Sequence, residues 1–281
     1  MSKYFNETIK ARSGALAPGG LKQAAVQDYQ EAAPKAPGPD IGVARLQECR
    51  KITIPVGGLL HDQFQGSDLL GVAEESYRAL RTRLLRLMSA NGMRSVVVTS
   101  AEQGEGKTMT SLNLALCCAQ LHDLPVLLID ADIRSCGLTR ALGSPADPGL
   151  AEFLAGECEP QQAVFSTDLP NLHVIVSGSP SAPPAELLAS SRWRELISWC
   201  NESFKLVVVD SPPVVNLSDV ELITAACDGV LTVVRARHTG REVLKQCVSR
   251  LDAKKLLGVV YNAAERFGSR YRYAYSGAKE K

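Results

Sequence analysis

The chain has 281 residues, 22% charged and 45% hydrophobic, which suits a globular α/β protein of one large or two small domains. A net charge of +1 excludes the broad basic field of a nucleic-acid binder, so no nucleic-acid partner is expected. No apolar run approaches the roughly 18–20 residues of a membrane span, and Met1-Ser2-Lys3-Tyr4-Phe5-Asn6 opens no secretory signal, so the sequence reads as cytoplasmic. The eight cysteines form no C-x-x-C pair and read as reduced core thiols.

Residues 1–66 are rich in Ala, Pro, Gly and Gln, with Ala17-Pro18-Gly19-Gly20 and Ala33-Pro34-Lys35-Ala36-Pro37-Gly38-Pro39 opposing helix and sheet. They are expected to form a mobile arm, although Ile41–Cys49 and Lys51–Leu60 carry enough apolar residues to dock on a partner or on the core. From Asp68 to Ala90 the spacing of Val72, Leu80, Leu84, Leu87 and Met88 predicts a long helix, with Gly92 just past its end. Its other face holds Glu75-x-x-Arg78-x-x-Arg81, which on spacing alone is a solvated face with intrahelical ion pairs.

Arg94–Thr110 is the stretch around which the chain is organised. The β-branched run Val96–Thr99 predicts a buried strand, Gly104-Glu105-Gly106 a tight loop, and Lys107-Thr108-Met109 the start of a helix. Strand, Gly loop, Lys-Thr and helix is the order of a phosphate-binding loop. Backbone N–H groups of such a loop converge on a phosphate, and Gly104 and Gly106 leave room for a close approach. Lys107 adds a full charge at the β- and γ-phosphates, and Thr108 offers a hydroxyl to Mg²⁺. Ala101 replaces the Gly that usually opens the pattern.

Two further strands end in acids. Val126–Ile129 leads into Asp130-Ala131-Asp132-Ile133-Arg134, and Leu206–Val209 leads into Asp210-Ser211-Pro212-Pro213. Strands this apolar are buried on both faces, so their terminal aspartates emerge at the carboxyl edge of the sheet, where ligands sit. One carboxylate there holds Mg²⁺ and another orients or deprotonates a nucleophile. A short helix is expected at Gly149–Ala155, a strand at Leu172–Val176 and one helix running from Glu186 through Trp199. Strands at Asp228–Arg235 and Leu256–Tyr261 flank a helix over Arg241–Leu251, and Asn262 is placed to meet an adenine edge. The alternation predicts a doubly wound, mostly parallel α/β sheet of the phosphate-loop NTPase kind over residues 67–262.

Three of the seven tyrosines then fall within five residues, Tyr271-Arg272-Tyr273-Ala274-Tyr275, in a polar, flexible tail over 263–281. Exposed tyrosines beside a nucleotide site read as phosphate acceptors. A coil of the 11 residues from Asn262 to Tyr273 spans roughly 18 Å, enough to reach a neighbouring active site.

The loop Ala101–Thr108, the strand end Ile129–Arg134, the strand Val207–Pro213 and the cluster Tyr271–Tyr275 together resemble the bacterial tyrosine autokinases of capsule and exopolysaccharide synthesis, the BY-kinase family. That family is similar to the ATPases that partition chromosomes and position division sites. The resemblance implies that ATP and Mg²⁺ are used, with Lys107 and Thr108 on the phosphates and the metal. It implies a metal or catalytic role for Asp130, a base role for Asp132 and a second acid in Asp210. Glu75, Arg78 and Arg81 match the family's E-x-x-R-x-x-R oligomerisation motif, which replaces the solvated-face reading with a ring in which each tail enters the next subunit. It also implies a separate membrane-spanning chain-length activator, a protein-tyrosine phosphatase, and a place at the inner face of the membrane through the activator. The alternative is a partitioning-type switch ATPase. Those place a lysine near the start of the loop, where this chain has Ala101-Glu102-Gln103.

Overall fold

The computed structural model describes residues 50–54, 67–143, 148–214 and 218–264. The phosphoacceptor candidates Tyr271, Tyr273 and Tyr275 and most of the arm lie outside them. An eight-stranded sheet, order β1-β4-β5-β3-β6-β2-β7-β8, organises these residues. Its strands are β1 (Arg50–Ile52), β2 (Ser95–Ser100), β3 (Val126–Asp130), β4 (Val164–Thr167), β5 (Leu172–Ile175), β6 (Leu206–Asp210), β7 (Gly229–Arg235) and β8 (Leu256–Asn262). All neighbours pair in parallel except β4 and β5. The doubly wound, mostly parallel sheet read from the sequence is therefore present.

The central strands are buried along their whole length because both faces are covered. Side chains alternate across the pleat. Val96, Val98, Leu128 and Val208 join one core with helices α1 (Ser67–Asn91) and α2 (Lys107–Ala119), while Val97, Leu127, Ile129 and Val209 join the other. The second core is closed by α4 (Leu150–Ala155), α6 (Pro184–Ala189), α7 (Ser191–Ser203) and α8 (Asp219–Ala226), with Trp193 at its centre. Each fully buried Leu or Val contributes about 1.5–3 kcal/mol. The remaining helices are α3 (Gly137–Ala141), α5 (Pro160–Ala163) and α9 (Arg241–Arg250).

Helix α1 ends as its sequence dictates. Gly92 takes φ 65°, its N–H donates to Ser89 O, and the Met93 N–H donates to Met88 O at 2.9 Å. This is a Schellman closure, with Met93 packed on the core that holds Met88.

Three features depart from the sequence reading. The single helix expected through Glu186 and Trp199 is two helices, α6 and α7, broken at an extended Ser190 whose hydroxyl bonds back to Leu187 O. Part of the expected arm is strand: β1 pairs with β4, Arg50 lies 4.3 Å over the Phe165 ring, and the Ile54 N–H donates to Asp168 Oδ1. Residues 50–54 of this stretch dock on the core, and the rest of Ile41–Cys49 and Lys51–Leu60 lies outside the described residues. Strand β4 itself, four residues long, reverses direction against β5. Trp199 is half-buried and packs against the second core, edge-on to Phe204.

Candidate active site

Strands β3, β6 and β2 are neighbours, so the loops that leave their carboxyl ends meet at one place. Asp130 and Asp210 face each other in register, and the Ala131 N–H donates to Asp210 O at 2.8 Å. The loop after β2 starts α2 directly above them. Gly106 is the N-cap of α2 at φ 91°, and Gly104 sits at φ 82°. A Cβ on Gly106 would run into Asn262 Nδ2, so the cradle admits only glycine there.

Lys107, Asp130, Asp132 and Asp210 are all buried, and they converge. Lys107 Nζ lies 2.7 Å from Asp132 Oδ2. The other oxygen of Asp132 accepts the Ser135 N–H at 3.2 Å. Asp130 Oδ2 accepts the backbone N–H and the hydroxyl of Thr139 at 2.8 and 2.7 Å. Asp210 Oδ1 accepts the Ser111 hydroxyl at 3.1 Å, and the Thr108 hydroxyl lies 3.4 Å from Lys107 Nζ. Met109 follows Thr108 on the first turn of α2.

The charges explain the titration. Burial pushes the Asp130 carboxyl up to about 6, against the Thr139 hydrogen bonds that favour its ionised form. Burial pushes Asp210 up to about 7, with Lys107 opposing. Burial by itself would lower the Lys107 pKa, but Asp210 and Asp132 together outweigh it and hold the ammonium charged.

Two buried oxygens, Asp130 Oδ1 and Asp210 Oδ2, have no hydrogen-bond partner among the described residues. An unsatisfied buried carboxylate oxygen is unfavourable by about 1–3 kcal/mol or more, so these atoms point to a cation. No group of three His, Cys, Asp or Glu side chains forms a self-sufficient cage among the described residues. Two carboxylates and the Thr108 hydroxyl instead suit Mg²⁺, which keeps water and phosphate oxygens among its ligands. The donor set fits that ion.

Other expected residues fall differently. The Glu105 carboxylate is turned into the protein, where Oε2 accepts the Glu102 N–H at 2.9 Å and Oε1 bonds to the Thr239 hydroxyl. It braces the loop from behind, so of Glu105 the backbone alone is left for phosphates. Asn262 reaches the same loop: Nδ2 donates to Glu105 O at 2.9 Å, and Oδ1 accepts the Ala263 N–H. One N–H and one oxygen lone pair of the amide remain beyond these two bonds. The helix residues lie away from the loop. Glu75 and Arg78 pair at 3.6 Å on the exposed face of α1, and Arg81 bonds to Cys117 O.

Several partners escaped the sequence reading. Thr139, Ser111 and Thr239 hold Asp130, Asp210 and Glu105, and Arg134 makes a two-pronged ion pair with buried Asp219 at 2.7 and 3.2 Å. Ser111 was in reach, four residues after Lys107 on the same helical face.

A glycine loop opening a buried helix, a lysine and three strand-end aspartates define a phosphate-loop nucleotide-binding protein of the doubly wound class. Comparison with known proteins narrows this. A family described as AAA domain matches residues 93–256. Tyrosine-protein kinase YwqD of Bacillus subtilis is 33% identical over 73% of this chain and 87% of its own length. EpsB of Ralstonia nicotianae is 35% identical, but this chain spans only 28% of its length. Among solved structures, the kinase domain of the Escherichia coli tyrosine kinase ETK shares 32% identity, with a TM-score of 0.63 over 70% of this chain and 79% of that one. The chain belongs to the family of bacterial tyrosine-protein kinases built on an AAA domain.

Proposed function

We propose that this protein is an ATP-dependent protein-tyrosine autokinase that phosphorylates its own Tyr271, Tyr273 and Tyr275 in trans within an oligomer, and thereby regulates exopolysaccharide or capsule synthesis, export or chain length. The observation that carries the proposal is the convergence of Lys107, Asp130, Asp132 and Asp210 at the carboxyl ends of adjacent strands. In this reading, residues 67–262 are the kinase, 1–66 an arm of unassigned role and 263–281 the substrate tail.

Gly104, Glu105, Gly106, Lys107, Thr108 and Met109 present backbone N–H groups to the phosphates of ATP. Asp130, Asp210 and Thr108 would hold Mg²⁺, which neutralises phosphate charge when bound. Lys107 compensates charge at the transferring phosphoryl group. Asp132, freed as Lys107 turns to the phosphates, accepts the proton of the tyrosine hydroxyl. Asn262 lines the adenine side. Glu75, Arg78 and Arg81 belong to the helix of the ring interface. The partners are further copies of the chain, a membrane-spanning activator that keeps the kinase at the inner face of the membrane, and a tyrosine phosphatase. No helix among the described residues is long and apolar enough to cross a membrane.

The switch-ATPase reading is disfavoured by the loop itself, because Ala101, Glu102 and Gln103 leave no lysine to reach across a dimer. Replacing Tyr271, Tyr273 and Tyr275 together by Phe tests the proposal. Label from radioactive ATP should fall by at least about ten-fold while ATP affinity stays unchanged. Undiminished label would move the acceptor sites elsewhere.

A further inference from the structure

Strands β7 and β8 outrun the strand that leads into the phosphate loop. Strand β2 ends at Ser100, level with Val233, whereas β7 continues to Arg235 and β8 runs to Asn262 beside it. By the strand order, the turn after β7 stands on the side of the loop away from Asp130 and Asp210. That turn is tight. The His238 and Thr239 N–H groups both donate to Arg235 O at 3.2 Å, with Arg237 at φ 60°. It brings Thr239 against the back of the loop.

The residue that Thr239 meets is Glu105, which lies between Gly104 and Gly106. A carboxylate in the middle of a phosphate cradle is adverse, because like charges this close oppose phosphate binding. The Glu105 side chain is instead turned back into the protein and is 1% exposed. Burial of a carboxylate is costly unless its oxygens are hydrogen-bonded. Oε2 accepts the Glu102 N–H at 2.9 Å, and Oε1 accepts the Thr239 hydroxyl. Glu102 belongs to the loop itself, whereas Thr239 ties the carboxylate to the sheet. The Thr239 oxygen in turn accepts the Arg235 N–H at 3.1 Å, which leaves the hydroxyl proton for Glu105.

The backbone of Glu105 has its own support, since Asn262 Nδ2 donates to its carbonyl at 2.9 Å. The Thr239 hydroxyl therefore has a narrower task than shaping the loop. It decides where the charge of Glu105 lies.

We propose that Thr239 is a positioning residue for nucleotide binding, whose hydroxyl keeps the Glu105 carboxylate behind the loop and its negative charge out of the phosphate cradle. This rests on the reading that the loop binds ATP, and it is independent of where the phosphoryl group goes. Without the hydroxyl, Glu105 Oε1 loses its donor from the β7 turn, and burial of the carboxylate becomes unfavourable. The carboxylate then gains by turning toward Lys107 and the loop N–H groups, where it competes with the phosphates.

Calorimetric titration of the full chain with Mg²⁺ and a non-hydrolysable ATP analogue tests this. Thr239→Val keeps the shape and removes the hydroxyl, and it should weaken binding by at least about five-fold, within the scale of losing a hydrogen bond to a charged group. Thr239→Ser should restore most of the affinity. With Glu105→Gln the charge is gone, and in that background Thr239→Val should weaken binding by no more than about two-fold. A threonine that only stiffened the turn would lose the same factor in both backgrounds, and that result would overturn the proposal. So would Thr239→Val binding like the wild type, or Thr239→Ser binding no better than Thr239→Val. If Thr239→Val does not fold, Thr239→Ala takes its place in the same two backgrounds. A wild type that binds no analogue refutes the ATP reading together with the proposal. Normal binding by the wild type with a contrary result in the variants refutes the proposal alone.

Discussion

Lys107 Nζ and Asp132 Oδ2 stand 2.7 Å apart in a nearly fully buried ion pair. The lysine that the phosphates require and the carboxylate assigned to the tyrosine hydroxyl thus neutralise each other. In the proposed mechanism Lys107 turns to phosphate and leaves Asp132 free to act as a base, so the pair would link phosphate binding to readiness for proton transfer.

Replacing Lys107 by Met removes the ammonium whose charge favours the ionised forms of Asp130 and Asp210. Autophosphorylation should fall by at least about 10²-fold, on the scale of losing a preorganised transition-state contact. Phosphotyrosine immunoblotting after incubation with Mg²⁺ and ATP checks this.

The raised acids give a pH dependence with a definite sign. Asp130 at about 6 and Asp210 at about 7 bind protons in the folded chain that the unfolded chain, near 3.8, has already released. Stability contributed by these groups is therefore greatest at low pH and declines as pH rises from about 4 to about 7. Without nucleotide, the thermal midpoint of Asp210→Asn should decline less steeply over pH 5–7.5 than that of the wild type. Parallel curves would remove Asp210 from the account.

Gly106→Ala should abolish ATP binding, because the new methyl runs into Asn262 Nδ2 at a φ of 91° that only glycine adopts easily. Calorimetric titration with ATP is the measurement. The double variant Gly106→Ala with Asn262→Ala, relieved of the collision but not of the backbone strain, should recover binding in part.

Arg134→Ala leaves Asp219 buried without its two-pronged partner. Since the Arg134 side chain is 43% exposed, the loss should be discounted for solvent screening to about 1–2 kcal/mol. Asp219→Asn should lose less, because no unpaired charge is left inside. Urea midpoints of the two variants test the order.

The chemical motifs were legible because each is contiguous. An apolar β-branched run ending in Asp130 or Asp210, or in the glycine loop, states in a few residues both the strand and what its end presents. The residues that hold these groups come from elsewhere in the chain. Thr139 meets Asp130 from a short helix nine residues on, and Thr239 meets Glu105 from the turn after β7, contacts that no local pattern announces. Strand β4 is four residues long, too short for its alternation to register, and its pairing is set by β5. The break between α6 and α7 had a local sign, a serine of the kind that starts helices, but the flanking apolar spacing ran across it. The inward turn of Arg81 was hidden for a different reason. Spacing places a side chain on a helix face but does not say which neighbouring carbonyl lacks a donor.

Mass spectrometry of the purified chain, intact and after peptide digestion, before and after incubation with Mg²⁺ and ATP, tests the central claim most directly. The cytoplasmic segment of the proposed membrane activator is added to the reaction. The account predicts mass gains of whole phosphate groups that map to Tyr271, Tyr273 or Tyr275 and vanish in Lys107→Met. ATP hydrolysis with no phosphate on any tyrosine would contradict it and make the protein a nucleotide-switched ATPase.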